Sequence, residues 1–476
     1  MPDRPLLRVR EIEFFERHVP LRLPFRFGAA TLTEAQQVFV RVRIALPDGR
    51  EGEGQAAELL AAKWFDKNPA LSNEANFDQL RTALAVARRL YLAQGRPATA
   101  FALHAGHEAQ QYAECERRGL NGLIAGFGTA LLDRAVLDAL CRILGISVFE
   151  AVQRNVPSID AATAPDLADF TIDRFLSKLR PAETMEARHT VGLVDAISEA
   201  EIDPAERVGD GLPESLETVI ETYGHRYFKL KVSGDVPADL DRLSRIASVL
   251  DPLSSPYFVT LDGNEQYADT ESALTLMEGI AAAPALERLT QAILYIEQPN
   301  ARANALSRPI HALAALKPVA IDESDSDIGV FPRAKALGYT GISSKSCKGF
   351  YRSLLNRARV AKWNSEMSGS RYFMTAEDLT TQPGIAVQQD LALATLIGCS
   401  HVERNGHHYV DGMAGAPEAE QLRFLAAHPN LYCRSGGRVR LAIHDGTLAI
   451  GSLAVPGLGA TPQPDWKAML RVEYGD

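Results

Sequence analysis

The chain has 476 residues, 46% of them hydrophobic and 23% charged, with a formal net charge of −10. That composition belongs to a globular protein able to bury a substantial core across two or three domains. The acidic balance argues against a nucleic-acid partner, which wants a basic face, and five scattered cysteines with no CxxC spacing exclude a disulfide scaffold and a zinc ribbon.

The opening stretch "MPDRPLLRVREIEFFERH" carries charge throughout and has no apolar h-region, so no signal peptide is expected. No run of about 18 apolar residues occurs, so no membrane span is expected. Together with reduced cysteines this points to a cytoplasmic protein. "LLRVREIEFFERHVPL" and "EAQQVFVRVRIALPDGREGEGQAAE" read as strands around "PFRFGAATLT", with "PDGRE" closing a hairpin. Helical spacing follows from about 72 to 152. It is clearest in "GFGTALLDRAVLDALCRILG", where Gly145 is a stop signal. Residues 1–152 therefore read as an α+β unit. Residues 153–187 read as an inserted linker, helical in "LADFTIDRFLSKL".

From 188 to 415 short apolar runs alternate with helical stretches. The strand candidates are "HTVGLVDAI", "YFKLKV", "YFVTLD", "AILYIEQP", "PVAIDE", "TGISSKS", "RYFMTAE" and "SHVERN". Eight such units predict an α/β fold of the closed (β/α)8 type. Residues 416–476 return to mixed strand and turn, and are expected to pack back on the first domain.

A lone Lys-x-Lys strand is most often amphipathic, with its lysines in water. In a barrel both faces of a strand are covered, so Lys229 and Lys231 belong at the C-terminal rim, where barrel active sites lie. The next three strands end in acids: Asp262, then Glu297, then Asp322 and Glu323. Three bare carboxylates at neighbouring strand ends repel one another, and a divalent cation resolves the conflict. All-oxygen ligands favour Mg²⁺. Strand six adds Lys345, sharing parity with Ser343, while Lys348 lies nearer the following helix. In a ring of eight, strand six stands opposite strand two. Lys231 and Lys345 would then flank a substrate, and a nearby cation and second lysine would bring a neutral amine within reach near pH 7.

In this order "KLK" (229–231), "LDGN" (261–264), "IEQP" (296–299), "IDES" (321–324) and "KSCKG" (345–349) resemble the enolase superfamily, in its muconate lactonizing enzyme subgroup. The opening strands and "VPGLG" (455–459) resemble that family's capping domain and tail. The resemblance implies an enolase-like barrel capped by the N-terminus and the C-terminal tail. It also implies an essential Mg²⁺ and a small carboxylate substrate whose alpha proton is removed through a metal-stabilised enediolate. Carried over, the ligands are Asp262, Glu297 and Asp322, with Glu323 the rival third. Lys231 and Lys345 are the acid/base pair, supported by Lys229. Glu377 is expected to orient Lys345. Arg26 and Thr31, in the loop resembling the family's mobile one, are expected near the mouth, with Asn264, Lys348 and Glu403 as further support or substrate contacts. Strand seven carries no histidine, unlike the mandelate racemase subgroup. "VERNG" stands where dipeptide epimerases have Asp-x-Asp. His401, His407 and His408 read as surface or structural residues.

Two opposed lysines favour racemisation or epimerisation. Cycloisomerisation and dehydration or β-elimination are the alternatives within the superfamily. A Schiff-base aldolase and a non-catalytic barrel are the readings outside it. An assembly of identical copies is expected, with no nucleic-acid or membrane partner.

Overall fold

The computed structural model describes residues 4–27 and 30–475. The N-terminal layer is an antiparallel sheet of β1 (Arg8–Phe27), β2 (Ala30–Ala45) and β3 (Glu51–Leu59). Its first two strands form a long arm, and their pairing register shifts between Pro20 and Phe25. Helices α1 (Asn73–Leu92), α2 (Ala100–Arg117) and α3 (Gly122–Leu144) cover the sheet. Each starts where a side-chain oxygen can accept from a free helix N–H: Ser72, Thr99 and Asn121. Gly145 ends α3 with φ 67°, the left-handed cap that glycine adopts without strain.

Helix α3 lies directly on β3. A Cβ at Gly54 would sit 2.1 Å from the Ala135 carbonyl and 2.2 Å from the Ala139 amide. Gly54→Val is therefore expected to push α3 off the sheet, costing about 1–3 kcal/mol. A thermal melt with an unchanged midpoint would refute this packing account.

Residues 153–183 hold a 3₁₀ turn, Pro165–Leu167, and a five-residue helix, Ile172–Leu176. The barrel then runs through β4 (Thr184–Val191), β5 (Tyr227–Lys231), β6 (Phe258–Asp262), β7 (Ile293–Glu297), β8 (Val319–Ile321), β9 (Gly341–Ser344), β10 (Phe373–Ala376) and β11 (His401–Arg404). These eight strands are parallel and joined in sequence, and β11 pairs with β4 to close the ring. The fold is thus a (β/α)8 barrel with a separate antiparallel capping sheet, as the alternating pattern predicts. The first barrel strand begins five residues earlier than "HTVGLVDAI" suggests, which brings Arg188 into it.

The tail divides its contacts. It forms the hairpin β12 (Tyr432–Ser435) and β13 (Arg438–Leu441). It then adds β14 (Thr447–Ala449) antiparallel to β4, and β15 (Leu470–Val472) to the edge of β1. Buried polar pairs lock cap to barrel. Arg134 of α3 donates to Gln389 Oε1 at 3.3 Å, and Gln389 in turn donates to the Gln55 carbonyl at 2.7 Å. The five cysteines are unpaired thiols. Among the described residues no helix is long and apolar enough to cross a membrane.

Candidate active site

Strand β5 is buried on both faces. Phe228 and Leu230 pack outward in the apolar layer under the helices, so Lys229 and Lys231 point into the barrel. Their ammonium groups meet acids from other strands. Lys231 Nζ donates to Asp262 Oδ2 at 2.6 Å. Lys229 Nζ lies 3.0 Å from Asp262, 2.9 Å from Glu297, 2.6 Å from Glu377 and 3.1 Å from Glu403. Across the ring, Lys345 Nζ contacts both oxygens of Asp322 at 2.9 Å and stands 4.0 Å from Glu297. Lys348 Nζ contacts Asp322 Oδ1 at 2.8 Å and its carbonyl at 2.9 Å. Ser343 Oγ also donates to Asp322.

The mouth is a pocket between barrel and cap. Lys229, Lys231, Asp262, Asn264, Asp322, Lys345 and Glu403 form its polar floor, and Phe25, Leu32, Trp64 and Leu379 its apolar roof. The ring of Trp64 lies 5.1 Å from Lys345 Nζ. Several loops leaving the strand ends hold non-glycine residues at positive φ: Asn264 at 41°, Gln298 at 34° and Thr380 at 56°. Such conformations persist only where surrounding contacts enforce them. Gln298 shows what one achieves: its side-chain oxygen accepts from the amides of Asp322 and Ser324 at 3.0 and 3.3 Å, fixing the turn that carries Asp322.

Charge decides what this cluster can hold. Burial drives the Glu297 carboxyl well above its ordinary pKa, and Glu377 adds to the push. Neither Glu297 oxygen accepts a hydrogen bond, although both are buried. Burial also opposes ionisation of Asp322 and Asp262. At Asp322 the lysines Lys345 and Lys348 outweigh it, and at Asp262 Lys229 and Lys231 do, so both carboxyls titrate below their usual values. Burial favours the neutral form of Lys345 and Lys229 too, but their acid neighbours hold both ammoniums charged. A hard cation suits this donor set: buried carboxylates from three adjacent strands, of which Glu297 accepts no hydrogen bond and meets the Lys229 ammonium at 2.9 Å.

Not every expected residue is where the sequence suggests. Arg26 and Thr31 pair with each other on the arm and are exposed. Their neighbours Phe25 and Leu32 face the pocket instead, one pleat away. Glu377 does not touch Lys345. It pairs with Lys229 and with Arg188, which is fully buried at the barrel centre and also donates to Thr375 Oγ1 and the Ala376 carbonyl. Glu323 accepts from Asn264 Nδ2 at 3.0 Å, and its Oε2 is buried without a partner. Lys67, from the cap, bridges this rim: its Nζ is 2.5 Å from Glu265 and 3.5 Å from Glu323. His407 and His408 are buried rather than on the surface, and His401 sits at the start of β11 beside Arg188. Phe25, Trp64, Lys67 and Arg188 escape the sequence reading because none sits in a strand-end motif.

No protein-family model matches the sequence, and no curated protein matches it. Solved structures do. A mandelate racemase/muconate lactonizing protein from Herpetosiphon aurantiacus is 17% identical, with a TM-score of 0.57 over 96% of this chain and 99% of that one. An isomerase from Streptomyces coelicolor A3(2) is 16% identical, with a TM-score of 0.56 over 96% and 97%. An enolase superfamily member from Roseovarius nubinhibens ISM, complexed with magnesium, is 15% identical, with a TM-score of 0.55 over 98% and 99%. Over nearly its whole length, this chain shares the capped-barrel fold of mandelate racemase/muconate lactonizing enzymes and other enolase superfamily members.

Proposed function

We propose that this chain is a Mg²⁺-dependent enzyme that removes the proton alpha to a carboxylate and returns it on the opposite face, as a racemase or epimerase. The observation that carries this reading is the placement of Lys231 and Lys345. They come from β5 and β9, four strands apart in a ring of eight, and both line one pocket with the acids between them. Asp262, Glu297 and Asp322 are the residues to hold the cation, and Glu323, with its unpartnered oxygen, is the alternative third. A cation held there supplies an electrophile for the substrate carboxylate and takes up acid charge that otherwise keeps Lys345 protonated.

The chain's own groups divide the remaining work. One lysine takes the alpha proton on its face of the substrate, and the other delivers a proton from the opposite face. Lys229, held by four carboxylates, stays charged and steadies Asp262 and Glu297. The roof of Phe25, Leu32 and Trp64 keeps water from the exchanging protons.

A second reading, cycloisomerisation or β-elimination with a single base, is favoured by one contact. Lys345 is gripped by both oxygens of Asp322, whereas Lys231 meets a single oxygen of Asp262. A Schiff-base lysine has no use for the three acids, which counts against an aldolase.

The test is a screen of acid sugars, N-acyl amino acids, dipeptides and carboxylate-bearing lactones in D₂O with Mg²⁺. Solvent deuterium at the alpha carbon together with inversion supports the proposal. Exchange without inversion supports the single-base reading, and no exchange in any acid with Mg²⁺ bound opposes both. Glu297→Gln is expected to weaken Mg²⁺ binding by at least about 100-fold, more than loss of an outer-shell contact costs. Unchanged Mg²⁺ calorimetry in that variant would remove Glu297 from the site.

A further inference from the structure

On the outer face of β4, away from the acid cluster, three histidines converge. Thr190 points into the barrel, where its hydroxyl donates to Glu403. His189, its neighbour in the strand, therefore points out. His225 comes from the turn before β5, and His407 from the short helix Gly406–Tyr409 after β11. All three are buried, and one ring nitrogen from each lies within 4.8 Å of the others.

Two of the ring nitrogens are buried without a partner, and a third meets only a neighbouring imidazole. His225 Nδ1 lies 3.0 Å from the Ala187 carbonyl, which can only accept, so Nδ1 carries the proton and Nε2 presents a lone pair. That lone pair faces His407 Nε2 at 3.3 Å. His189 Nδ1 and His407 Nδ1 are buried with no partner. An imidazole that donates one N–H to a backbone carbonyl while its other nitrogen faces a second imidazole is oriented as metal-bound histidines are. Two nitrogens on a tetrahedral ion with bonds of about 2.0–2.1 Å stand about 3.3–3.4 Å apart, which matches the His225–His407 separation. Burial keeps these rings neutral, the form that ligates: it holds His225 down to about 4, and His189 and His407 well below the ordinary value. The nearby cations are already paired, Arg22 with Asp210 at 2.6 Å and Arg404 with Asp390.

We propose that His189, His225 and His407 form a second metal site, selective for Zn²⁺ and independent of the carboxylate cluster. Ligand chemistry sorts the two ions: imidazole suits zinc, and carboxylates suit magnesium. The site fastens three segments of the barrel wall together. One is the helix that follows Asn405, a residue of the pocket rim. At the end of that helix the Tyr409 ring lies 4.3 Å from the ring of Phe25 in the roof.

The experiment uses the full chain, stripped with chelator and titrated with Zn²⁺ in excess Mg²⁺. One zinc per chain is expected. His225→Gln and His407→Gln should each weaken binding by more than about 100-fold, while Glu297→Gln keeps it. Should those histidine variants fail to fold, X-ray absorption at the zinc edge of the unaltered protein decides. An imidazole-nitrogen shell supports the site. An oxygen-dominated shell, zinc lost in Glu297→Gln, zinc retained in both histidine variants, or no zinc uptake overturns it.

Discussion

Lys231→Ala and Lys345→Ala are each expected to lower turnover by about 10²–10⁴-fold, the range general acid–base catalysis supplies. The more informative readout is the alpha proton. If the two amines serve opposite faces, each variant loses interconversion yet still exchanges the alpha proton of one stereoisomer, and the two variants choose opposite ones. If exchange vanishes in Lys231→Ala and survives for both stereoisomers in Lys345→Ala, a single base acts and the racemase proposal fails. Folding needs a control, since each lysine neutralises acids nearly free of solvent: Lys231 lies against Asp262 and Lys345 against Asp322. Lys345→Met keeps an unbranched aliphatic side chain in place of the lysine stem, without the ammonium that faces Trp64, and separates lost chemistry from lost packing.

Arg188→Leu is expected to be the most destabilising single change in the barrel interior. Its guanidinium is wholly buried, and Glu377, Thr375 and the Ala376 carbonyl depend on it. Removing one partner of a buried ion pair strands the other, at about 3–5 kcal/mol. The denaturation midpoint should fall accordingly. Adding Glu377→Gln to Arg188→Leu should recover part of the loss, because the stranded charge goes too. A midpoint in Arg188→Leu equal to the parent's would show that Lys229 alone balances Glu377, and the account of the barrel centre would be wrong.

The barrel and the strand-end acids were legible because burial leaves little room for exceptions. A five-residue strand covered on both faces tolerates lysine or aspartate only at its rim or against buried partners of opposite charge, as Lys229 has. "YFKLK", "FVTLD" and "ILYIE" therefore announce both the strand and the end that faces the pocket. Arg26 and Thr31 were placed by their likeness to a loop, which does not say which side chains face the pocket. The register shift between Pro20 and Phe25 moves the arm by a pleat, so Phe25 and Leu32 face the pocket and Arg26 and Thr31 face water. Arg188 was lost because the apolar run that marks the first barrel strand starts after it. Glu377 was matched to the wrong lysine because strand order says which ends are near, and side-chain reach decides which of them touch. The histidines carried no signal at all: three residues from distant parts of the chain share one face only after the ring closes.

The long arm of β1 and β2 has a consequence for how the pocket is reached. Near its root it is tied down, with β15 along one edge and Arg17 on Glu420, and within the irregularity itself Arg22 holds Asp210. Only beyond the irregularity at Pro20–Phe25 does it carry the aromatic and aliphatic roof. The way into the pocket is therefore lined by the short apolar stretch past an anchored irregularity, and the strand Leu470–Val472, far along the sequence, braces the root of the arm that carries it.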